Sequence, residues 1–171
     1  MTARVRPYDI GCEPSPSVPA ETVIQDGWAT YLLFFAVSKA VGPSGYLDDL
    51  GVAVVECHHC VMAKFGYPND EGLPEHPLYH CGMAEAASSI LEVVDSAWAA
   101  EVDGQQVASA RRIWGGRGIE PDWMKDRNSR HFIVTLKEKT FECLASSMVV
   151  ERFCPTFAEA AAFVIGRPAE H

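Results

Sequence analysis

The segment HFIVTLKEKTFECLASSMVV, residues 131–150, decides the fold prediction for this chain. Two runs rich in β-branched and apolar residues flank a short polar stretch, which is typical of a β-hairpin. Pairing Val134 with Cys143 gathers the apolar side chains on one face and leaves His131 and Glu142 together on the other. The segment therefore predicts two antiparallel strands, with Cys143 in the core and Glu142 outside it.

Further strands and two helices are predicted outward from this hairpin. Residues 22–38 are rich in Val, Ile, Tyr and Phe and contain the turn pair Asp26-Gly27, which indicates a strand, a tight turn and a long second strand. A helix over residues 28–40 is the alternative, because a short apolar run cannot be typed by periodicity alone. The other predicted elements are strands within 52–63 and 88–95 and helices at about 96–107 and 156–165. These elements predict an α+β fold, with about two helices against a mainly antiparallel sheet that curls toward a half-barrel.

Length and composition predict one folded domain. A chain of 171 residues, of which 48% are hydrophobic, is long enough for one real core and short for two. Residues 1–20 are rich in proline and serine and are expected to form an extended N-terminal arm. The single domain is then expected to span residues 21–171.

Charge and hydropathy argue against two classes of partner. The formal net charge of −9 disfavours a general nucleic-acid binder, because affinity for a phosphate backbone comes mostly from Lys and Arg. The start of the chain has no apolar segment of the length that a signal peptide requires, and the longest apolar run, residues 28–37, is well below the ~20 residues of a membrane span. We therefore expect a cytoplasmic protein that binds neither nucleic acid nor membrane and keeps its six cysteines reduced.

Cysteine and histidine crowd one part of the chain. Cys57 and Cys60, followed by His76 and His80, have the C-x2-C and H-x3-H spacing of a zinc finger. On a continuous strand, however, Cys57 and Cys60 would point in opposite directions and could not bind one metal. A turn at residues 58–59 would be needed, and no Gly or Pro is there to make one. Ordinary buried thiols are therefore favoured, with a structural zinc site as the alternative.

The same alternation groups the candidate catalytic residues. Glu56 and His58 share one face of the strand predicted within 52–63, and His131 and Glu142 share one face of the hairpin. If both faces line one cavity, two carboxylates and two imidazoles converge, which suits general acid/base chemistry or a divalent transition metal such as zinc. A glutamate on a mostly apolar strand should also have its pKa raised by desolvation. The alternative is a partly wet face on which each charge has a local ion-pair partner.

A long loop is expected to cover that cavity. Residues 66–82 contain three prolines and three glycines, and long loops inside compact domains are more often functional than incidental. The predicted metal ligands are His58, His76 and His80, the last two from this loop. The predicted substrate pocket is formed by Tyr67, Asp70, Tyr79, Trp98 and Trp114. A proline-pinned loop packed by its own Leu78 and Tyr79 is the alternative.

Parts of this loop and of the hairpin resemble a family of bacterial hypothetical proteins. The similar segments are KFGYPNDE at 64–71, HPLY at 76–79, RHFIVT at 130–135 and TFEC at 140–143. The resemblance implies that the loop and the hairpin belong to one architecture. It implies no particular reaction.

These observations together predict a small-molecule-binding protein whose pocket, between the sheet and the loop 66–82, takes a small polar metabolite. As an enzyme of bacterial secondary metabolism it would use acid/base or metal-assisted chemistry, in a biosynthetic cyclisation, an isomerisation or a hydrolysis. No dinucleotide, P-loop or nucleophile-elbow signature is present in the sequence, so no nucleotide cofactor is expected. Two other classes stay open. One is a non-catalytic binding or protein-interaction module, such as a homodimer, and the other is a zinc-stabilised domain.

Overall fold

Two antiparallel β-sheets packed face to face form the body of the computed structural model, which describes residues 2–26, 29–115 and 129–167. Within these residues the strands are β1 (Arg4–Pro7), β2 (Glu13–Pro14), β3 (Glu21–Gln25), β4 (Thr30–Val41), β5 (Leu47–His58), β6 (Met62–Gly66), β7 (Ile90–Val94), β8 (Arg130–Thr135), β9 (Thr140–Ala145) and β10 (Ser147–Cys154). The helices are α1 (Ala97–Trp114) and α2 (Phe157–Ile165), with short 3-10 turns at Leu73–Glu75 and Tyr79–Cys81. Sheet A has the strand order β1-β7-β8-β9-β6, and sheet B has the order β10-β5-β4-β2 with β3 also paired to β4.

The main hydrophobic core lies between the two sheets. Alternation along each strand turns one set of side chains into this core, including Val55 and Cys57 of sheet B and Phe132 and Cys143 of sheet A. The other set faces outward, where α2 covers sheet B and where α1 and the loop 66–82 cover sheet A. Each sheet therefore has an inner apolar face and an outer face on which polar residues can be placed.

The predicted α+β class with antiparallel pairing is confirmed. Residues 30–41 form strand β4, so the helix proposed as the alternative for residues 28–40 is wrong. The predicted turn pair Asp26-Gly27 lies partly outside the described residues, because residues 27 and 28 are not among them. Neither sheet is closed, and the strands form two sheets instead of one sheet curled toward a half-barrel. No α-helix in the described part of the chain combines the length and the apolar character that a membrane crossing requires.

The two sheets are joined at a corner where the chain passes from one sheet to the other twice, at two adjacent positions. Strand β5 ends at His58 in sheet B and the chain resumes as β6 in sheet A, while β9 of sheet A passes at Ser146 into β10 of sheet B. Ser146 donates from its backbone N–H (2.8 Å) and from Oγ (3.0 Å) to the carbonyl oxygen of His58. This corner, defined by residues 58–61 and 145–147, splits two segments that the sequence predicts as continuous strands. Bends of this kind are how strands switch between packed sheets.

The central hairpin has the predicted faces but a different register. Val134 pairs with Phe141, and Ile133 pairs with Glu142, so the predicted pairing of Val134 with Cys143 is displaced by two residues. The displacement arises because a backbone bond from Leu136 N–H to the Lys139 carbonyl closes the turn. A shift of two residues preserves the face of every side chain, so Cys143 is buried in the core and Glu142 lies outside it.

The residues predicted as an N-terminal arm are extended and pair with both sheets. Strand β1 pairs with β7 at the edge of sheet A, and β2 pairs with β4 in sheet B. The carboxylate of Glu13 accepts hydrogen bonds from Ser88 Oγ at 2.7 Å and from the Ser89 N–H at 2.9 Å. These contacts fix the first residues of the chain across the end of the sandwich.

Both helices begin at capping residues. Ser96 Oγ accepts from the Ala99 N–H at 3.1 Å at the start of α1. Thr156 Oγ1 accepts from the Glu159 N–H at 3.2 Å at the start of α2, within the predicted range of this helix. Helix α1 continues to Trp114, beyond the predicted end at about residue 107, and contains Gly104 in its interior.

Candidate functional site

A pocket of about 210 Å³ opens on the outer face of sheet A, between the sheet, the start of α1 and the loop 66–82. This is the region in which the sequence predicts a ligand pocket. Its apolar walls include Leu78, Val93 and Trp98. Its polar lining consists of Lys64, His76, Ser96, His131 and Glu142.

Strands β6, β8 and β9 place three of these polar residues beside one another. Lys64 lies directly opposite Glu142, and Ile133 lies opposite Glu142 on its other side. His131, two residues before Ile133, is therefore the diagonal neighbour of Glu142 on the same outward face. The His131 Nε2 atom lies 2.9 Å from Glu142 Oε2, and the His131 side chain is only 3% exposed. The pair predicted from the hairpin alternation is thus in direct hydrogen-bond contact.

The other ring nitrogen of His131 contacts the first turn of α1. Nδ1 lies 2.9 Å from Ser96 Oγ, the same oxygen that caps the helix. The Trp98 ring packs edge-on against the imidazole, with a centroid separation of 4.9 Å. With Glu142 ionised, Nε2 of the neutral ring carries the proton and Nδ1 accepts one from the Ser96 hydroxyl. A continuous hydrogen-bond chain therefore runs from Ser96 through His131 to Glu142.

A second buried imidazole approaches the same carboxylate from the loop. Nδ1 of His76 accepts the backbone N–H of Leu78 at 3.1 Å, which puts the proton of the neutral ring on Nε2. Nε2 lies 3.6 Å from Glu142 Oε1, which is longer than a hydrogen bond, and within the described part of the chain this buried nitrogen has no hydrogen-bond partner. The His76 side chain is 3% exposed, so its Nε2–H is a buried hydrogen-bond donor at the wall of the pocket.

Lys64 adds a positive charge at the pocket mouth. Its Nζ atom lies 3.9 Å from Glu142 Oε1 and 3.7 Å from the centroid of the Trp98 ring. The half-exposed ammonium is thus held by a carboxylate and by a cation–π contact at once. This arrangement keeps a mobile side chain over the polar end of the pocket.

These contacts determine the ionisation of Glu142. Burial acts to raise the pKa of this carboxyl, but the hydrogen bond from His131, the approach of His76 and the charge of Lys64 outweigh burial and hold the pKa well below its usual value. The direction is opposite to the raised pKa that desolvation alone predicts for a glutamate on an apolar strand. Glu142 is therefore a fixed anion through the neutral range and a poor proton acceptor.

The structure does not bring Glu56 and His58 to this pocket. Both lie on the outer face of sheet B, while His131 and Glu142 lie on the outer face of sheet A, with the core between the sheets separating the two pairs. The single cavity expected from sequence is absent among the described residues because β5 and the hairpin belong to different sheets, and each turns its polar face outward. The catalytic role of these four residues stays a prediction.

Glu56 and His58 instead belong to an ion-pair cluster on sheet B. His58 Nε2 lies 3.8 Å from Glu56 Oε1 and 3.8 Å from Glu151 Oε1. Arg167 binds the second oxygen of each carboxylate, at 2.9 Å for Glu56 and 3.3 Å for Glu151. Glu151 reaches this face from an irregularity in the pairing of β10 with β5, between Val150 and Arg152. Ligand atoms of Glu56, His58 and Glu151 lie within 4.8 Å of one another, a spacing that could hold a metal ion.

The predicted metal set of His58, His76 and His80 is not assembled. His58 lies on sheet B, His76 packs over sheet A, and the exposed His80 contacts the ring of Tyr79. At His76, Nδ1 accepts a backbone N–H, whereas a metal-bound imidazole normally donates from its second nitrogen. With Nδ1 as an acceptor, the His76 ring is better arranged to donate a hydrogen bond to a carboxylate than to bind zinc.

Of the predicted pocket residues, Trp98 lines the pocket and the others lie elsewhere. Exposed Tyr67 donates to Glu75, and Asp70 pairs with Lys137. Tyr79 packs against the Leu91 region of sheet A, and Trp114 ends α1. Sequence reasoning missed Ser96 and Lys64. A serine at the start of a predicted helix is an N-cap signal, but nothing in the sequence links Ser96 to His131.

The cysteines meet inside the corner, contrary to the alternation prediction. The chain turns at His59, whose φ of 51° is left-handed although it is neither Gly nor Pro. As a result Cys57 and Cys60 both come close to the buried Cys143. The interaction with the Cys143 thiol outweighs burial and lowers the pKa of Cys60 to about 7. The zinc-finger set is not formed, because His76 lies on the outer face of sheet A and Cys57 in the core.

Comparison of the chain with family models, with curated proteins and with solved structures gave no match. The chemistry of the pocket is therefore the basis for assigning a function. Within that pocket, the contacts of His131 carry the most chemical information.

Proposed function

We propose that this protein binds a small polar molecule in the pocket over sheet A and carries out acid/base chemistry on it. The observation that supports the proposal is the hydrogen-bond chain from Ser96 through His131 to Glu142, which is buried at one end and opens into the pocket at the other. Such a chain is the usual means of preparing a histidine to move protons.

In this proposal Glu142 orients His131 and stabilises its protonated form. The low pKa of Glu142 keeps the carboxylate charged, so it fixes the proton on Nε2 and leaves Nδ1 as the proton acceptor. When Nδ1 takes a proton, the imidazolium lies 2.9 Å from a negative charge in a desolvated setting. His131 is therefore the proton carrier, and Glu142 never needs to accept a proton itself.

The lining of the pocket favours a ligand with acceptor oxygens. Donors are in excess, since Lys64 Nζ, the unpartnered His76 Nε2–H and the first N–H groups of α1 all border the pocket. Trp98, Leu78 and Val93 offer an apolar wall for the body of the ligand. At ~30 Å³ per water, a volume of about 210 Å³ holds the equivalent of roughly seven waters. A small carbonyl or carboxylate compound fits these conditions.

Hydrolysis and isomerisation of small carbonyl compounds are the reactions that fit this chemistry best among those expected from sequence. Metal-assisted chemistry is less well supported at this pocket, because Nδ1 of His76 acts as an acceptor. The proposal needs no nucleotide cofactor. It assigns the activity expected of a metabolic enzyme to the pocket on the outer face of sheet A.

A nuclear magnetic resonance experiment with small esters, amides and 2-oxo acids tests the proposal. We expect shift changes confined to residues around Trp98 and Ser96, and conversion of some compounds, including exchange of protons next to the carbonyl in D₂O. His131→Asn should abolish conversion, because Asn cannot carry the proton. His58→Gln, on the opposite face, is the matched control and should leave it unchanged. Binding and conversion that are insensitive to His131→Asn would refute the proposal.

A further inference from the structure

We infer that Ser96 is a nucleophile and that the substrates are esters, thioesters or amides whose acyl group is transferred to it. This inference rests on the proposed acid/base function of the same pocket and names its substrate class. It assigns to Ser96 a covalent role beyond capping α1 and beyond relaying a proton to His131.

The position of Ser96 follows from a sharp strand-to-helix junction. Strand β7 ends at Val94, Asp95 has a left-handed φ of 58°, and α1 begins at Ala97. A non-glycine residue in this region is strained, and such strain is concentrated at functional sites. The turn holds Ser96 Oγ over His131 and at the pocket wall. A nucleophile exposed on a tight turn between a strand and a helix is a recurrent solution in hydrolytic enzymes.

Ser96, His131 and Glu142 have the roles of a catalytic triad. One ring nitrogen faces the hydroxyl at 2.9 Å, and the other faces the carboxylate at 2.9 Å. In this chain Nδ1 faces the serine and Nε2 the acid, but each nitrogen performs the same task as in the common arrangement. Ser96 Oγ can accept the Ala99 N–H and donate to Nδ1 at once, so capping and activation are compatible.

An oxyanion site lies beside the hydroxyl. The first N–H groups of an α-helix have no partner within the helix, and Ala97 and Trp98, which provide them in the 18-residue α1, line the pocket. A second, independent feature points to a ligand there. The His76 imidazole is 3% exposed, and its Nε2 has no hydrogen-bond partner among the described residues although it is buried at the pocket wall. A carbonyl oxygen that gains negative charge would meet the N–H groups at the helix start, and His76 offers a further donor in the same pocket.

Acyl transfer through Ser96 proceeds in two halves, acylation and hydrolysis. Ser96 Oγ attacks the carbonyl carbon while its proton passes to His131 Nδ1, and the carbonyl π electrons become the oxyanion. The oxyanion collapses, the bond from carbon to the leaving oxygen, sulfur or nitrogen breaks, and the leaving group takes the proton from Nδ1. Water then attacks the acyl-serine, giving its proton to Nδ1. The bond from carbon to Oγ breaks, Oγ regains the proton, and a carboxylic acid is released.

Two probes test whether Ser96 is the nucleophile. A small dialkyl fluorophosphate should phosphorylate Ser96 with loss of fluoride, and p-nitrophenyl acetate should leave an acetyl group there, both located by peptide mass spectrometry. Ser96→Gly should abolish both adducts. His131→Asn should slow adduct formation by about 100-fold or more.

The capping role of Ser96 needs its own control. Glycine replaces a capping serine at a cost of only a few tenths of a kcal/mol, so Ser96→Gly is expected to fold. Thr156→Ala removes the cap of α2 instead, and it should lose stability while forming the Ser96 adduct at the rate of the unchanged protein. Loss of the Ser96 adduct in Thr156→Ala, in which the hydroxyl of Ser96 is intact, would mean that the effect is structural and would overturn the inference.

The outcomes separate this inference from the proposed function. If small carbonyl compounds bind and are converted in a His131-dependent way but neither probe modifies Ser96, the nucleophile is excluded and the acid/base function stands. If binding and conversion do not depend on His131 either, both fail. Adducts at lysine or at other serines, unaffected by His131→Asn, would equally overturn the role of Ser96.

Discussion

The outer faces of the two sheets carry the same kinds of residue in opposite proportions. On sheet A, one carboxylate, Glu142, is approached by two imidazoles and a lysine. On sheet B, two carboxylates surround one imidazole, His58, and Arg167 bridges them. On sheet A, the hydrogen-bond donors outnumber the single carboxylate. On sheet B, Arg167 forms ion pairs with both carboxylates.

Burial follows the same division. His131 and His76 are 3% exposed, while the His58 side chain is 38% exposed and Arg167 is 28% exposed. Water can therefore replace many of the interactions on sheet B but not those on sheet A. An unpartnered histidine Nε2 occurs among the described residues on both faces, at His76 and at His58, but His76 lines the pocket over sheet A. A Glu–His pair thus indicates function only when a cavity lies beside it.

The largest difference between the faces is expected from matched Glu→Gln changes. Glu142→Gln removes the anion that supports His131, and we expect acetylation of Ser96 by p-nitrophenyl acetate to slow by about 1,000-fold or more. Glu56→Gln should change that rate less than about twofold, because the core separates it from the pocket. Stopped-flow measurement of nitrophenolate release compares the two. Equal effects would show that the faces are not functionally distinct.

Acid unfolding should also distinguish the Glu142 site. Because the folded protein lowers the pKa of Glu142, its carboxylate contributes stability that is present above the ordinary value of 4.5 and is lost as the pH falls through the folded pKa. The stability gap between the unchanged protein and Glu142→Gln should therefore shrink below pH 4.5, as measured by urea unfolding. Glu101→Gln, on the exposed side of α1, controls for the loss of a charge. A gap that widens in acid would contradict a lowered pKa for Glu142.

On sheet B the informative change is Arg167→Ala. Loss of the guanidinium should cost about 1 kcal/mol of stability, because the ion pairs are partly exposed. It also leaves Glu56, His58 and Glu151 without their cation, so Zn²⁺ should bind about tenfold more tightly than to the unchanged protein. Competition with a chromogenic chelator measures this. The gain should vanish in the double variant with His58→Gln, and its persistence would locate the ion elsewhere.

The smallest effect is expected at the pocket mouth. Lys64→Gln removes a charge that is 3.9 Å from Glu142 and half exposed, so we expect KM for an anionic ester to rise a few-fold with kcat nearly unchanged. Lys39→Gln, a surface change at the ion pair with Asp9, is the control. A fall in kcat as large as that in Glu142→Gln would instead assign Lys64 to the chemical step.

The face of each polar residue was predictable from sequence, because side chains alternate with a period of two. That rule places Glu142 beside His131 even though the predicted hairpin register is displaced by two residues. It also places Glu56 beside His58. The sheet to which each pair belongs could not be predicted, since the left-handed turn at His59 has no glycine or proline to signal it.

The remaining members of the pocket could not be predicted for a different reason. Ser96 reaches His131 from a helix start that is 35 residues away along the chain, and His76 arrives from a loop. Such contacts depend on how separate elements dock, and local propensity carries no information about docking. A serine at the start of a predicted helix indicates an N-cap, but the sequence does not indicate which side chain lies beside it.

The corner at His58 and Ser146 has a consequence for how the molecule folds. The hydrogen bond between Ser146 and His58 joins residues 88 positions apart in the chain. It closes a two-stranded ribbon that carries Glu56 and Glu151 on the sheet B side of the corner and Glu142 on the sheet A side. Contacts of such long sequence separation are slow to form because loop-closure entropy is lost before they are made. Neither polar cluster can be complete before the corner closes, so both should appear late in folding and in the same kinetic phase.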